Sequence, residues 1–98
     1  MKNKIIHMTL TYKWFDLVES GKKTEEYRRW VPGWRKRLNG LKRDDLVVFH
    51  RGYTGRTLTR KIEDIRVIGG WDLPNDVYKF FGCPNESLFF RIRFQNEN

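Results

Sequence analysis

Gly21-Lys22-Lys23-Thr24-Glu25-Glu26-Tyr27-Arg28 is the stretch on which the fold of this chain turns. Charges of both signs and one aromatic crowd into the residues after a glycine, at the point where one element gives way to the next. Upstream, Trp14, Phe15, Leu17 and Val18 follow three- and four-residue spacing, and Lys13, Asp16 and Glu19 fall elsewhere. That pattern predicts a short amphipathic helix, capped by Thr9 or Thr11 and running to about Ser20. Gly21 suits the left-handed position past its C-terminus. Lys23 to Trp30 then reads as a strand. Regular from Thr24, it sets Thr24, Glu26, Arg28 and Trp30 on one face and Glu25, Tyr27 and Arg29 on the other. A polar face of that density, directly after a helix, reads as the floor of a binding cleft.

Working outward, Ile5 to Leu10 is rich in β-formers and predicts a first strand. Pro32-Gly33 breaks the chain, and Trp34 to Leu38 makes one basic helical turn ending near Asn39-Gly40. Asp45 to Arg51, with Leu-Val-Val-Phe at its heart, is the clearest strand. Gly52 to Gly55 reads as a loop. Thr57 to Ile68 is long, β-branched and alternating, which predicts one strand with a bulge near Glu63-Asp64, stopped by Gly69-Gly70. Asp76 to Phe81 predicts a short helix, stopped by Gly82 and Pro84. Leu88 to Phe94 closes as a strand with Phe89, Arg91 and Arg93 opposite Phe90, Ile92 and Phe94. A short polar tail, Gln95 to Asn98, follows. The expected class is α+β, mostly β: a five-to-six-stranded barrel with one early helix and short helical pieces, occupying residues 1–98 as one domain. Closing the sheet into a barrel removes strand edges, a hazard for so small a sheet.

Composition narrows the partners. The chain of 98 residues carries a net charge of +8, and the excess is uneven. Residues 31–61 hold nine Lys and Arg against two acids, while the last thirty-seven residues are net acidic. Clustered cations point to a polyanion, because Lys and Arg that neutralise phosphates release counterions. One cysteine, Cys83, excludes an internal disulfide and a cysteine-built zinc site. Two histidines without a cysteine cluster or acidic triplet predict no metal and no cofactor. No apolar run reaches the roughly 18 residues of a membrane span, and none near the N-terminus forms a signal peptide. The expectation is a cytoplasmic monomer.

The pattern Gly21-x-Lys23-x-x-Glu26-x-Arg28, following a helix that bears Trp14 and Phe15, resembles the ASCH domain of the PUA-like superfamily. Asp45 to Arg51, Arg60 to Ile68 and Leu88 to Phe94 are similar to successive strands of that family, so the resemblance covers nearly the whole chain. It implies a β-barrel with a cleft beside the motif and an association with RNA or nucleotides; some members are linked to ribonuclease activity. One bacterial branch, which hydrolyses N4-acetylcytidine, resembles this chain at Gly21, Lys23, Thr24 and Arg28. That branch carries a threonine nucleophile where this chain has Glu26, so its acyl-transfer step does not carry over.

The residues themselves nominate two clusters. In the first, the Lys23 ammonium meets a phosphate or a base carbonyl, Glu26 serves as general base or accepts protons from a base edge, and Arg28 orients Glu26 or holds phosphate. Trp14 lines the cleft or joins the core. The second is His50-Arg51-Gly52-Tyr53-Thr54-Gly55-Arg56, at a barrel rim. Arg51 and Arg56 supply phosphate contacts there, and Tyr53 a stacking face. His7, in the first strand, reads as half-buried and structural. Trp34 with Arg35, Lys36 and Arg37 mixes an aromatic with cations, as single-strand binders do. Three functions stand open. The first is a domain that binds single-stranded or structured RNA, or a nucleotide. The second is a metal-independent hydrolase of RNA or a modified nucleoside, using Lys23, Glu26 and His50. The third is a basic protein-interaction module.

Overall fold

The computed structural model describes residues 3–95; residues 96–98 of the polar tail lie outside the described residues, as do residues 1 and 2. The chain runs β1 (Ile5–Leu10), α1 (Tyr12–Glu19), β2 (Glu25–Arg29), α2 (Pro32–Leu38), β3 (Leu46–Arg51), β4 (Thr57–Gly69), a 3-10 turn (Gly70–Asp72), α3 (Asn75–Phe80) and β5 (Leu88–Phe94). The strands form one curled sheet in the order β1-β3-β4-β5-β2. β1 pairs parallel with β3, and the other neighbours are antiparallel. The register shift in β4 falls between Ile62 and Asp64, so Glu63 is the bulged residue.

The curl is that of a half-barrel. β1 and β2 sit at opposite ends of the strand order, and no ladder joins them. The concave face holds the main core: Ile6, Met8 and Leu10 from β1, Val47 and Phe49 from β3, Ile62 from β4, and Phe90, Ile92 and Phe94 from β5. Phe15 and Val18 of α1, Leu38 of α2 and Leu41 beyond it complete it. Alternation in β1 is strict, with Ile6, Met8 and Leu10 buried and Ile5, His7 and Thr9 outward. His7 is therefore exposed rather than half-buried, because inward positions of this strand fall on even-numbered residues.

β5 departs from simple alternation. Phe89 is as buried as Ile92, although it faces the other way. A second, smaller cluster explains it: Phe89 packs with Tyr27, Leu73 and Val77 on the convex side, under α3. That side also carries an ionic belt in which Glu25 meets Arg91 and Arg93, and Asp64 meets Arg66 and Arg91.

Candidate functional site

A helix-to-strand reversal builds the site. Gly21, at φ 81°, ends α1, and the Lys23 N–H donates to the Leu17 carbonyl at 3.0 Å, turning the chain back across the helix. Lys23 is thereby laid over the Trp14 ring, 5.1 Å from its centroid. Pairing with β5 then sets the face of each β2 residue. Glu26 lies opposite Ile92 and Arg28 opposite Phe90, so both point to the concave side that elsewhere holds the core. With no strand beyond β2, this face opens into a cleft between the free edges of β1 and β2.

The cleft encloses about 300 Å³ and is lined by Thr9, Leu10 and Thr11, by Trp14 and Lys23, by Glu26 to Arg29, by Val31 and Trp34, and by Val77, Phe80 and Phe81. Its walls are aromatic: Phe80 meets Trp14 edge-on at 6.0 Å and Phe81 at 5.2 Å. Its polar floor is one buried carboxylate between two cations. Glu26 is only 7% exposed. Its Oε1 accepts the Tyr27 N–H at 3.0 Å and lies 3.6 Å from Lys23 Nζ; its Oε2 accepts from Arg28 at 3.0 Å. A carboxylate has about four acceptor positions, so lone pairs stay free for a guest. The Arg28 Nε–H is buried without any hydrogen-bond partner among the described residues. Buried donors are satisfied as a rule, and an orphan beside a cleft marks a place where an acceptor belongs.

Arg28 also ties the cleft to a second hollow. Its guanidinium reaches the Thr9 carbonyl on the free edge of β1 at 3.4 Å and stacks on Trp34 at 4.9 Å. Arg37 reaches the same strand edge: it donates to the His7 carbonyl and stacks on Trp34 at 4.3 Å. These two arginines occupy carbonyls that would otherwise offer an open strand edge. The second hollow, about 570 Å³ and more open, is lined by His7, Thr9, Arg28, Trp34, Arg37, His50, Gly52, Tyr53 and Gly55. His7 Nδ1 and His50 Nε2 face each other there at 2.8 Å.

The residues nominated from sequence divide into groups. Lys23, Glu26, Arg28, Trp14 and Trp34 meet in the cleft, and Trp14 and Trp34 also pack on the main core. His50, Tyr53 and Arg37 line the second hollow, where Tyr53 is fully exposed. His50 is thus not beside Lys23 and Glu26. Arg51 and Arg56 line neither space. Arg51 makes a two-pronged pair with Asp16 of α1 at 2.9 and 3.1 Å and stacks on Tyr12 at 4.2 Å, while Arg56 pairs with Glu19. The Asp16 carboxyl is held below its ordinary pKa, first by the hydrogen bond from Arg51. Arg35 stacks on Trp30 at 4.0 Å and, with Lys36, borders a separate groove on the far side of α2. Thr24 does not line the cleft.

Phe80, Phe81 and Val77 were not nominated, nor was His7. Val77 and Phe80 of α3 and Phe81 just after it come from a segment remote in sequence, and only the aromatic character of the two phenylalanines hints at a role. Among the described residues no group of three or more His, Cys, Asp or Glu is arranged to hold a metal ion, and no helix is long and apolar enough to cross a membrane.

This half-barrel, with its cleft between unjoined edges, places the chain in a known class. The family model for the ASCH domain matches residues 8–86, and the chain belongs to the ASCH domain family. Domains of this family are generally regarded as RNA-binding. Among solved structures, one titled "Crystal structure of hypothetical protein PH0355" superposes with a TM-score of 0.60 at 18% identity, covering 93% of this chain and 97% of that one; it shares the fold. A comparison with curated proteins gave no match.

Proposed function

We propose that this ASCH domain binds single-stranded RNA by seating one base in the cleft beside Glu26. The observation that carries the reading is the buried Glu26 between half-buried Lys23 and Arg28, set in an aromatic wall, with an unpartnered Arg28 N–H. A base needs an apolar face to stack on and a few fixed polar groups at its edge. Trp14, Trp34 and Phe80 offer the former. Glu26 accepts from an amine or imino N–H of the base, as a carboxylate does from cytosine, and Lys23 donates to a ring carbonyl. A volume near 300 Å³ is at the low end for small-molecule pockets and limits the guest to about one nucleoside. Arg35, Lys36 and Arg37 on α2 take the flanking phosphates. Arg51 and Arg56, paired with acids of α1, act as anchors of the loop that carries Tyr53.

Fluorescence anisotropy with a labelled ten-nucleotide RNA at fixed salt tests this. Trp14→Ala and Trp34→Ala each weaken binding by about 5- to 100-fold, the worth of one stacked base. Trp71, which is 72% exposed and remote from the cleft lining, serves as the control. Equal affinities for all three variants and the parent protein would remove the cleft from the interface.

A further inference from the structure

We infer that the second hollow is a phosphate subsite, in which the His7–His50 pair takes up a proton as the anion enters, so that the preferred ligand is a nucleotide rather than a free nucleoside. The inference rests on the base-binding reading above only for the identity of the neighbouring group.

The observations are independent of that cleft. His7 and His50 come from neighbouring parallel strands, and the register sets Thr9, not His7, opposite His50. The rings nevertheless turn toward each other, with Nδ1 and Nε2 2.8 Å apart and ring planes tilted by 36°. At that distance one nitrogen carries a proton and the other receives it. Two fully protonated imidazoles would set donor against donor and must swing apart.

Among the described residues, the other charged side chains that line the hollow are cations, one of which, Arg28, also pairs with Glu26 in the adjoining cleft. Arg28 approaches from β2 and Arg37 from α2. The loop contributes Gly52, Tyr53 and Gly55, β1 contributes Thr9, and no carboxylate of the described residues lines the hollow. Arg28 and Arg37 are held in place by carbonyls of β1 and by Trp34, so their positions are set before a ligand arrives. Two fixed guanidiniums, of which only Arg28 shares its charge with a carboxylate of the described residues, and two exchangeable imidazoles form a receptor for an oxyanion, since charge-assisted bonds to phosphate oxygens are the strong ones. Arg28 lines both spaces, so a phosphate here sits next to whatever occupies the cleft. With the anion present and the Nδ1–Nε2 hydrogen bond kept, each imidazole donates its other ring N–H to the anion; that takes three ring protons, one more than the two of the neutral pair. Affinity for the phosphate therefore rises as pH falls from about 8 to about 5.5, the window in which imidazole protonates.

The test is an NMR titration of the 15N-labelled protein with cytidine, with cytidine 5′- and 3′-monophosphates and with inorganic phosphate, at about pH 8 and pH 5.5. The expected result is that at least one monophosphate binds about ten-fold more tightly than cytidine at the lower pH, with that gain shrinking at the higher pH. Inorganic phosphate alone shifts the Gly52 and Gly55 amides and the His7 and His50 rings, leaving the Trp14 indole N–H in place. In the H7Q/H50Q variant the pH dependence of the gain is lost, while cytidine binding is unchanged and the rest of the spectrum reports an intact fold. The single variants H7Q and H50Q keep the inference testable should the double variant fail to fold, each reducing the pH dependence. Cytidine binding with no gain from phosphate overturns the subsite and leaves the base cleft standing. Phosphate-induced shifts at Gly52, Gly55 and the two imidazoles without any cytidine binding overturn the base cleft and support the subsite. Undiminished pH dependence in H7Q/H50Q, or in both single variants, assigns the proton elsewhere and overturns the inference.

Discussion

Asp45 and Glu26 are both carboxylates buried by the fold, and they do different work. Asp45 is fully buried and accepts backbone N–H groups from Lys4 at 3.0 Å and Lys42 at 2.9 Å, with the Lys42 ammonium at 3.4 Å. Burial alone would raise its pKa; the two backbone donors and the ammonium outweigh it and bring the carboxyl below its ordinary value. A carboxylate depressed in this way adds stability above its unfolded pKa, about 3.9, and loses it as pH falls through the lower folded value. Asp45→Ala leaves two buried N–H groups without an acceptor and costs about 1–3 kcal/mol at pH 7. Urea unfolding at pH 7, 4 and 3 checks both points: the gap between the parent protein and the variant narrows only toward the acid end. Among the described residues, Glu26 accepts only one backbone N–H, that of Tyr27. Its other partners are the side chains of Lys23 and Arg28 at a solvent-reachable cleft, which leaves it able to exchange them for a ligand.

At the scale of elements, the connections carry the strictest constraints. A Cβ on Gly70 would fall 1.7 Å from the Pro84 carbonyl oxygen, a backbone atom that cannot step aside. Gly70→Ala therefore destabilises by about 3 kcal/mol or more, as overpacking against rigid structure does, and thermal unfolding reads it directly. Gly52 presents a milder case: at φ 53° its Cβ would lie 2.7 Å from the Tyr12 ring, the surface on which Arg51 stacks. Gly52→Ala loosens the Tyr53 loop from α1, visible as faster amide exchange at Thr54 and Gly55. Much of this organisation was legible in the residues. β-former content gave β1 and alternation gave β5 to the residue, the β-branched run gave β4 and its bulge, and Gly21 gave the end of α1. The Thr11 side chain makes no cap hydrogen bond, although Thr11 does occupy the N-cap position. The two-sided burial of β5 was hidden, because Phe89 owes its partner to α3, a contact set by tertiary packing and not by period. The site was legible to the extent that it is local: Lys23, Glu26 and Arg28 lie within one turn and strand. Arg51 and Arg56 look like free cations in the sequence and meet Asp16 and Glu19 only once α1 is laid beside the loop.

On the scale of the whole molecule, the charge asymmetry and the incomplete barrel belong together. The missing β1–β2 ladder opens the concave face, and Arg28 and Arg37 occupy the edge carbonyls that the missing ladder leaves. Of the basic middle of the chain, α2 sends Arg37 to the hollow beside that opening and Arg35 and Lys36 to the groove on its other side. Removing both of these, in R35A/K36A, reduces the slope of log affinity against log salt for single-stranded RNA by about 1.4, the share of two phosphate contacts, while leaving base preference unchanged. The base itself is the central claim, and contacts between its protons and the protein test it most directly. Intermolecular NOEs from a bound cytidine-containing RNA are expected to run from the H5 and H6 protons of one base to the ring protons of Trp14, Phe80 or Trp34. NOEs confined to Trp71, Tyr53 or the Arg35–Lys36 groove, with the cleft aromatics silent, would contradict it.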